Sequence, residues 1–246
     1  MNHTTNVNSV NKQLIEARSL YQLTSVPFIL GETNSLYNEG APGLSDSFGA
    51  ALWALDFALY SAAGGIGRVH FHQGTNYRYQ SWQPIDTNIT TKGTKAPYYG
   101  NIAAAAFVGR AGSVVANVPL PGTTQAAYVV YRDDQLEKVM LINMLAFNTT
   151  GFGDGNQTRP AFDYQVHLPS CCEGTKVKLQ RLMANGSDAI SGVTFDGFSF
   201  NYELDGGKPV LMTNTTRGEE AVVQGGVVDV TVVASSAVML VLDCDG

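Results

Sequence analysis

The chain has 246 residues, of which 44% are hydrophobic and 15% are charged, and it contains 26 glycines. This length and composition predict a packed, turn-rich globular protein and exclude a disordered chain. The formal net charge of −6, without a lysine or arginine run, predicts no nucleic-acid partner and no binding to anionic membranes. No apolar run is long enough to span a bilayer, so we expect no membrane partner.

The first residues predict a helix that leads into a strand. Residues 1–11 are polar and rich in asparagine, so we expect them to be frayed. From Lys12 onward, the spacing of Leu14, Ala17 and Leu20 predicts a short helix. A helix followed by a buried strand is the order found in repeating βα units.

A carboxylate follows the next apolar run. Phe28 to Leu30 are apolar and lead into Gly31 and Glu32, after which turn-forming residues continue to Gly43. A short, continuous apolar run predicts a strand that is buried on both faces. Catalytic groups in α/β barrels lie where such strands end, so Glu32 is a candidate catalytic residue. The alternative is a structural glutamate held by hydrogen bonds, because buried acids are usually satisfied.

The following segment predicts a long apolar helix. Ser45 can cap a helix that ends near Ala63, where Gly64 and Gly65 stop it. Its apolar residues lie on nearly every side and Asp56 is its only charge, so we expect burial on nearly every side. In a complete barrel such a helix lies between the sheet and another layer. In this chain we expect its flanks to lack partners.

A second strand carries two histidines. Residues 68–72 alternate so that His70 and His72 share one face. A His-x-His pattern can bind zinc, but zinc needs three or four ligands, and the other histidines, His3 and His167, are not placed to converge. We therefore predict no metal and no cofactor, and interpret these histidines as the polar lining of a barrel mouth. The alanine-rich run at 98–109 predicts one more helix.

Residues beyond Ser113 have the pattern of an all-β region. Short runs rich in Val, Tyr, Phe and Thr alternate with Gly, Asn, Asp and Pro turns. The run at 139–146 is apolar on both faces and predicts a central strand, and Gly225-Gly226 predicts a hairpin. An antiparallel β-sandwich would bury these strands. The predicted strands are 126–132, 139–147, 162–168, 176–182, 194–200, 227–233 and 238–242.

Two segments resemble the family 79 glycoside hydrolases, the β-glucuronidase and heparanase group. The first comprises Gly31-Glu32-Thr33-Asn34-Ser35-Leu36-Tyr37 and the GAPGLSDSF run from Gly40 to Phe48, and it is similar to the family's nucleophile segment. The second, Gly74-Thr75-Asn76-Tyr77, is similar to the family's Gly-x-Asn-Tyr loop after the last barrel strand. The resemblance is close over residues 26–82, looser to about residue 112, and architectural beyond.

This resemblance implies an α+β fold in two parts. Residues 1–112 would form the C-terminal fragment of a (β/α)8 barrel, with its last two βα units. Residues 113–246 would form the antiparallel β-sandwich that follows the barrel in this family. The rest of the barrel is expected upstream of this chain.

The resemblance also implies roles for individual residues. Glu32 matches the catalytic nucleophile, and Tyr77 matches a tyrosine of the active site. The residues implied to bind substrate are Tyr37, Gly40, Tyr77, His70 and Gln73. For Tyr79 and Trp82, ordinary packing of a long loop is an equal alternative.

The second catalytic carboxyl group is not expected in this chain. In the family, the acid/base glutamate follows an asparagine at the end of an earlier barrel strand. The only Asn-Glu pair here is Asn38-Glu39, on the same loop as Glu32. The partner acid must reach the other side of the glycosidic bond, so we do not expect Glu39 to be the acid/base. The same two residues stand where uronate-binding members of the family have glycines.

The implied function is that of a retaining β-glucuronidase-like hydrolase acting through a covalent glycosyl-enzyme. This chain would be its nucleophile-bearing C-terminal portion, inactive alone and active on a glucuronide or related glycoside when the N-terminal barrel is present. The alternative is a non-catalytic remnant or a carbohydrate-binding β-sandwich protein.

Other residues predict an extracellular protein. Cys171, Cys172 and Cys244 permit one disulfide, and we predict a bridge from Cys244 to one of the adjacent pair, with Cys172 as the candidate. Asn-x-Ser/Thr sites are more frequent than chance predicts, which favours N-glycosylation. These sites are Asn2, Asn88, Asn148, Asn156, Asn185 and Asn214. The N-terminus lacks the apolar core of a signal peptide, so we expect this sequence to be part of a longer secreted protein.

Overall fold

The structure, a computed structural model, describes residues 1–21, 26–149 and 158–244. The helices are His3–Tyr21 (α1), Phe48–Ala63 (α2), Pro97–Val108 (α3) and Tyr202–Asp205 (α4), with a 3-10 turn at Ser170–Cys172. The strands are Ile29–Thr33 (β1), Arg68–Phe71 (β2), Trp82–Gln83 (β3), Gly93–Thr94 (β4), Val114–Val118 (β5), Gln125–Arg132 (β6), Gln135–Asn143 (β7), Ala161–His167 (β8), Lys176–Met183 (β9), Thr194–Phe195 (β10), Phe198–Ser199 (β11), Val210–Leu211 (β12), Glu219–Val222 (β13), Val227–Val233 (β14) and Ser236–Val241 (β15). None of these helices is both long and apolar enough to cross a membrane.

One large antiparallel sheet organises this mixed α/β fold. Its nine strands run in the order β12-β11-β10-β9-β15-β7-β6-β5, with β13 also paired to β9. Antiparallel β8 and β14 form a second, two-stranded sheet. The parallel pair β1-β2 and the short β3-β4 hairpin are separate from both.

The large sheet is buried on both faces. Met140 and Ile142 of β7 lie in one core with helices α2 and α3, whereas Val139 and Leu141 lie in the other with the valines of β14. This alternation follows from the two-residue period of a strand. Strand β7 lies between β6 and β15, so the predicted central strand is confirmed. Helices α2 and α3 therefore share one core with one face of the sheet, and β14 packs on the other face.

Three features of the β region differ from the prediction. The run predicted as one strand at 194–200 is broken into β10 and β11, because Asp196 and Gly197 adopt positive φ values of 49° and 77° and form a turn. Gly225 and Gly226 do form a tight turn, but β13 and β14 on either side of it pair with strands of different sheets. Strands β5, β12 and β13 were not predicted.

Helix α2 is buried as predicted, but its flanks have partners. Phe48, Leu52 and Leu55 are fully buried in the core that includes α3 and the large sheet, which corrects the expectation of unpartnered flanks. The contact with α3 is so close that a Cβ on Gly100 would lie 2.3 Å from the carbonyl oxygen of Ala51. A side chain at position 100 would therefore force these two helices apart.

The start of α2 also differs from the prediction. Ser47, not Ser45, is the N-cap residue, and the Ser45 hydroxyl instead accepts a 2.7 Å hydrogen bond from the Ala41 N–H. The first N–H groups of α2 donate to the carbonyl oxygens of Ala189 and Ser187, each at 2.7 Å. A loop of the β region thus satisfies donors that a helix leaves free at its start.

The expectation that residues 1–11 are frayed is wrong, because helix α1 begins at His3. The fully buried Asp56 of α2 accepts hydrogen bonds from Asn6 Nδ2 at 2.7 Å and Tyr128 Oη at 2.6 Å, and its Oδ1 lies 2.9 Å from His3 Nδ1. Val10 is also fully buried. A buried carboxyl group without partners is costly, so these contacts hold the first turns of α1 in place.

We expect Asp56→Ala to destabilise the 246-residue chain by about 3 kcal/mol or more, because three polar partners would lose their acceptor in a buried site. Urea unfolding followed by circular dichroism measures this difference. Asp205→Ala, at an exposed position of α4, is the matched control and should change stability by less than about 0.5 kcal/mol. Equal stabilities of the two variants would show that the Asp56 contacts do not hold the fold.

Strand β1 is less buried than its apolar sequence predicted. Ile29 is 45% exposed, and residues 31 and 32 are exposed as well. Among the described residues, β1 pairs with β2 alone, so one edge and one face lack the neighbours that bury a strand on both sides. The expectation of a strand buried on both faces is therefore wrong for this chain.

The predicted disulfide is present between Cys172 and Cys244, whose Cα atoms are 4.5 Å apart. Cys172 is buried in the core beneath β14, and Cys171 is a free, exposed thiol. A bridge of this span closes a loop of 72 residues and so restrains the unfolded chain.

The predicted glycosylation sites lie on the surface where they are described. Asn2, Asn88, Asn148, Asn185 and Asn214 are exposed, and Asn156 lies outside the described residues. Exposure is a condition that a glycosylated asparagine must meet, and glycosylation itself stays a prediction.

Candidate active site

Glu32 lies where the two parallel strands end. The carboxyl ends of parallel strands lie at the same edge of a sheet, so β1 and β2 present their last residues together. Leu30 pairs with Val69 and Thr33 with Phe71, so two residues of β1, Gly31 and Glu32, stand opposite one residue of β2. Such a bulge redirects side chains and is common beside active sites. The register places His70 opposite this bulge.

An aromatic cluster follows β2 at this edge. The rings of His72 and Tyr77 stack with centroids 5.1 Å apart, and Tyr79 meets both edge-on at 6.0 and 5.6 Å. Tyr79 is buried, and its hydroxyl lies 3.4 Å from His72 Nδ1. Such contacts fix the orientation of each ring.

The electrostatics of Tyr79 connect this cluster to Glu32. Burial raises the pKa of the Tyr79 hydroxyl, and nearby Tyr77, Glu32 and Glu39 raise it further. A neutral phenol beside a carboxylate remains a hydrogen-bond donor at neutral pH. The cluster can therefore offer a proton donor to an oxygen bound near Glu32.

The loop after β1 has an unusual backbone. Asn38, Glu39 and Gly40 have consecutive positive φ values of 53°, 66° and 79°. The middle of the loop is held in place, because the Glu39 carbonyl accepts a 2.7 Å hydrogen bond from the Arg78 N–H. A Cβ on Gly40 would lie 2.6 Å from Ser45 Oγ. Only glycine fits at position 40, so the residue predicted to bind substrate has a clear packing role.

Side-chain amides join the end of β2 to the following loop. Gln73 Oε1 accepts a 2.7 Å hydrogen bond from the Ser81 N–H, and its Nε2 donates to the His72 carbonyl at 3.0 Å. Asn34 Nδ2 donates to the same carbonyl at 3.0 Å. Gln73 therefore positions the loop, and its predicted contact with substrate stays a prediction.

The Gly-x-Asn-Tyr segment has a steric explanation. A Cβ on Gly74 would lie 2.2 Å from the ring of Tyr77, so the ring packs directly over this glycine. Asn76 has a φ of 70°, and its side chain is hydrogen-bonded by Gln83 and Thr87. The segment thus presents Tyr77 toward His72 in one fixed orientation.

The structure brings only some of the predicted residues together. Glu32, His70, Gln73 and Tyr77 lie at the shared strand edge, whereas Tyr37 is 90% exposed. His72 and Tyr79 complete the cluster. The sequence predicted His72 as polar lining of a barrel mouth and left Tyr79 open between a substrate contact and ordinary loop packing. His72 shares a strand face with His70, so the alternation of residues 68–72 predicts both histidines equally well as candidates for this site. In the described part of the chain, no group of three or more His, Cys, Asp or Glu side chains could hold a metal ion.

Comparison with known proteins shows which family this chain resembles. Residues 127–239 match the family described as Glycosyl hydrolase family 79 C-terminal beta domain. The chain is 51% identical to a β-glucuronidase of Aspergillus niger, with 98% of this chain and 47% of that protein covered. It is 46% identical to a β-glucuronidase of Neurospora crassa, with 90% of this chain and 44% of that protein covered. The chain thus spans about half the length of these curated relatives.

Two solved structures of glycosidases superpose on this chain. The crystal structure of a 4-O-α-L-rhamnosyl-β-D-glucuronidase from Fusarium oxysporum superposes with a TM-score of 0.72 at 28% identity, covering 88% of this chain and 43% of that one. An arabinofuranosidase superposes with a TM-score of 0.60 at 11% identity, covering 98% of this chain and 50% of that one, and shows a shared fold only. The resemblance seen in the sequence is confirmed, and this chain belongs to the family 79 glycoside hydrolases, whose C-terminal beta domain it carries at residues 127–239.

Proposed function

We propose that this chain is the nucleophile-bearing portion of a retaining β-glucuronidase-like glycoside hydrolase, with Glu32 as the nucleophile. The observation that carries the proposal is the bulge at the carboxyl end of β1, which presents Glu32 beside the His72–Tyr77–Tyr79 cluster. Homology to two β-glucuronidases along nearly the whole chain supports the same reaction class. The substrate we propose is a β-linked glucuronide.

The proposed chemistry has two displacements. A Glu32 carboxylate oxygen attacks the anomeric carbon, the bond to the leaving oxygen breaks, and a second carboxylic acid protonates that oxygen. Water, deprotonated by the same second group, then cleaves the glycosyl ester and regenerates Glu32. We propose that this acid/base lies outside the chain, in the remaining barrel units that residues 1–112 would complete. Residues 113–246 would correspond to the β-sandwich that follows.

The surroundings of Glu32 suit a nucleophile. The carboxylate is exposed at the strand edge, where a sugar ring can approach it. Tyr79, held neutral by its raised pKa, can donate a hydrogen bond to the sugar or to the nucleophile. The stacked rings of His72 and Tyr77 offer an aromatic wall for the apolar face of the sugar.

The alternative, a non-catalytic remnant or carbohydrate-binding protein, has less support. Two β-glucuronidases match 98% and 90% of this chain, and these matches extend through the part that contains Glu32. We also infer secretion and N-glycosylation, on the basis of the buried disulfide and the exposed acceptor asparagines.

Covalent trapping tests the nucleophile directly. A chimera would join residues 1–246 to the part of the Aspergillus niger β-glucuronidase that this chain does not match. We expect an activated 2-fluoro-glucuronide to inactivate this chimera and to label the peptide that contains Glu32. The fluorine slows breakdown of the glycosyl-enzyme, so the covalent intermediate accumulates. Peptide mass spectrometry locates the label.

A matched chimera with Glu39→Gln controls for the other carboxylate on the loop and should be labelled at the same peptide. A label on any residue other than Glu32, or full labelling of a Glu32→Gln chimera, would contradict the assignment.

A further inference from the structure

A second aromatic cleft lies between the β3-β4 hairpin and the segment around α4. It has a volume of about 330 Å³, within the usual range for small-ligand sites. Its walls include Trp82, Tyr98 and Tyr202, together with Lys92 and the Gly206-Gly207 turn. Trp82 is 57% exposed and Tyr202 is 42% exposed. Two large aromatic side chains of one cleft thus remain open to solvent.

Hydrogen bonds hold the walls of this cleft together. Thr94 Oγ1 donates to the Phe200 carbonyl at 2.7 Å, which joins the hairpin to the segment before α4. The fully buried Tyr99 accepts a 2.8 Å hydrogen bond from the Phe200 N–H and donates to Asn201 Oδ1 at 2.8 Å. These bonds span about a hundred residues of sequence, so the cleft is formed before any ligand arrives. A preformed cleft loses less entropy on binding than a loose one.

A cation lies at one wall. Lys92 Nζ is 4.4 Å from the centroid of the Tyr202 ring. Lys92 is exposed, and its interaction with the Tyr202 side chain raises the pKa of the ammonium. Aromatic faces beside a fixed ammonium suit a ring with an apolar C–H face and an anionic substituent. A uronate-bearing pyranose has both.

We propose that the Trp82–Tyr202 cleft is a second saccharide-binding site, in which a pyranose ring stacks on Trp82 and a uronate carboxylate pairs with Lys92. This proposal rests on the proposed function only for the class of ligand. It requires that the chain binds a saccharide, and it does not require that the chain cleaves one. The lining of this cleft includes neither Glu32 nor any member of the His72–Tyr77–Tyr79 cluster, so the cleft is distinct from the candidate active site. Such a site would keep an acidic polysaccharide close to the catalytic edge.

Affinity electrophoresis of the 246-residue chain in gels that contain glucuronoxylan tests the proposal. We expect retardation of the wild type, a loss of at least tenfold in affinity for Trp82→Ala and a smaller loss for Lys92→Met. Arabinoxylan, which lacks uronate, should retard the wild type less. Tyr131→Ala removes an aromatic side chain that is 38% exposed on β6, outside the cleft, and as the control it should bind as the wild type does. Circular dichroism checks that each variant is folded.

Glu32→Gln separates this proposal from the proposed function. Unchanged retardation of Glu32→Gln together with loss in Trp82→Ala supports a separate cleft, whether or not the chain takes part in catalysis. Loss of retardation in Glu32→Gln but not in Trp82→Ala would place saccharide binding at the strand edge and overturn the proposal. No retardation of the wild type, or equal retardation by both xylans, would overturn it as well.

Discussion

Glu32→Gln should lower the turnover of an aryl β-glucuronide by about three orders of magnitude or more in the chimera described above. The amide keeps the size and hydrogen bonding of the side chain but cannot form the glycosyl ester. Because Glu32 is exposed at the strand edge, the substitution should leave the unfolding midpoint of the 246-residue chain unchanged. Initial rates and urea unfolding measure the two effects.

Two further variants and a chemical rescue sharpen this test. Glu39→Gln changes the other carboxylate of the same loop and should leave turnover nearly unchanged, and Tyr77→Phe should lower it less than Glu32→Gln does. Azide should restore turnover to Glu32→Gly and give the α-glycosyl azide, since a single displacement inverts the anomeric carbon. A β-glycosyl azide would instead make Glu32 the acid/base, and near-normal turnover of Glu32→Gln would remove it from catalysis altogether.

Residues 113–246 expressed alone should fail to give a soluble, cooperatively folded protein. Removal of α2 and α3 exposes the face of the large sheet that carries Tyr128, Met140 and Ile142, all buried in the intact chain. An apolar face of this extent on a monomer promotes aggregation. Size-exclusion chromatography, limited proteolysis and thermal unfolding compare this fragment with residues 1–246.

A fragment of residues 26–246 is the matched control, because it loses α1 but keeps both helices on the sheet. We expect it to be soluble and cooperatively folded, with lower stability than the intact chain because the Asp56 contacts with His3 and Asn6 are lost. A monomeric 113–246 fragment that unfolds like the intact chain would show that the β region has an independent core.

Local patterns in the sequence were sufficient for much of the fold and for the candidate nucleophile. The run at 139–146 is apolar on both faces, and its residues 139–143 form the second half of the central strand β7, Gln135–Asn143. The turn chemistry after Glu32 and the Gly-x-Asn-Tyr segment identified the strand edge and the family. These signals are local, because strand burial and turn geometry depend on residues close together in the chain.

Tertiary structure alone decided the rest. The helix at residues 3–11 depends on Asp56, about fifty positions away, so a polar sequence gave no sign of it. The exposure of β1 follows from its single neighbour, and the burial of α2 follows from a sheet formed by later residues. The bulge at Glu32 and the Trp82–Tyr202 cleft likewise arise from pairing and packing between distant segments. Composition and periodicity do not encode such pairings, because each depends on which surfaces meet after folding.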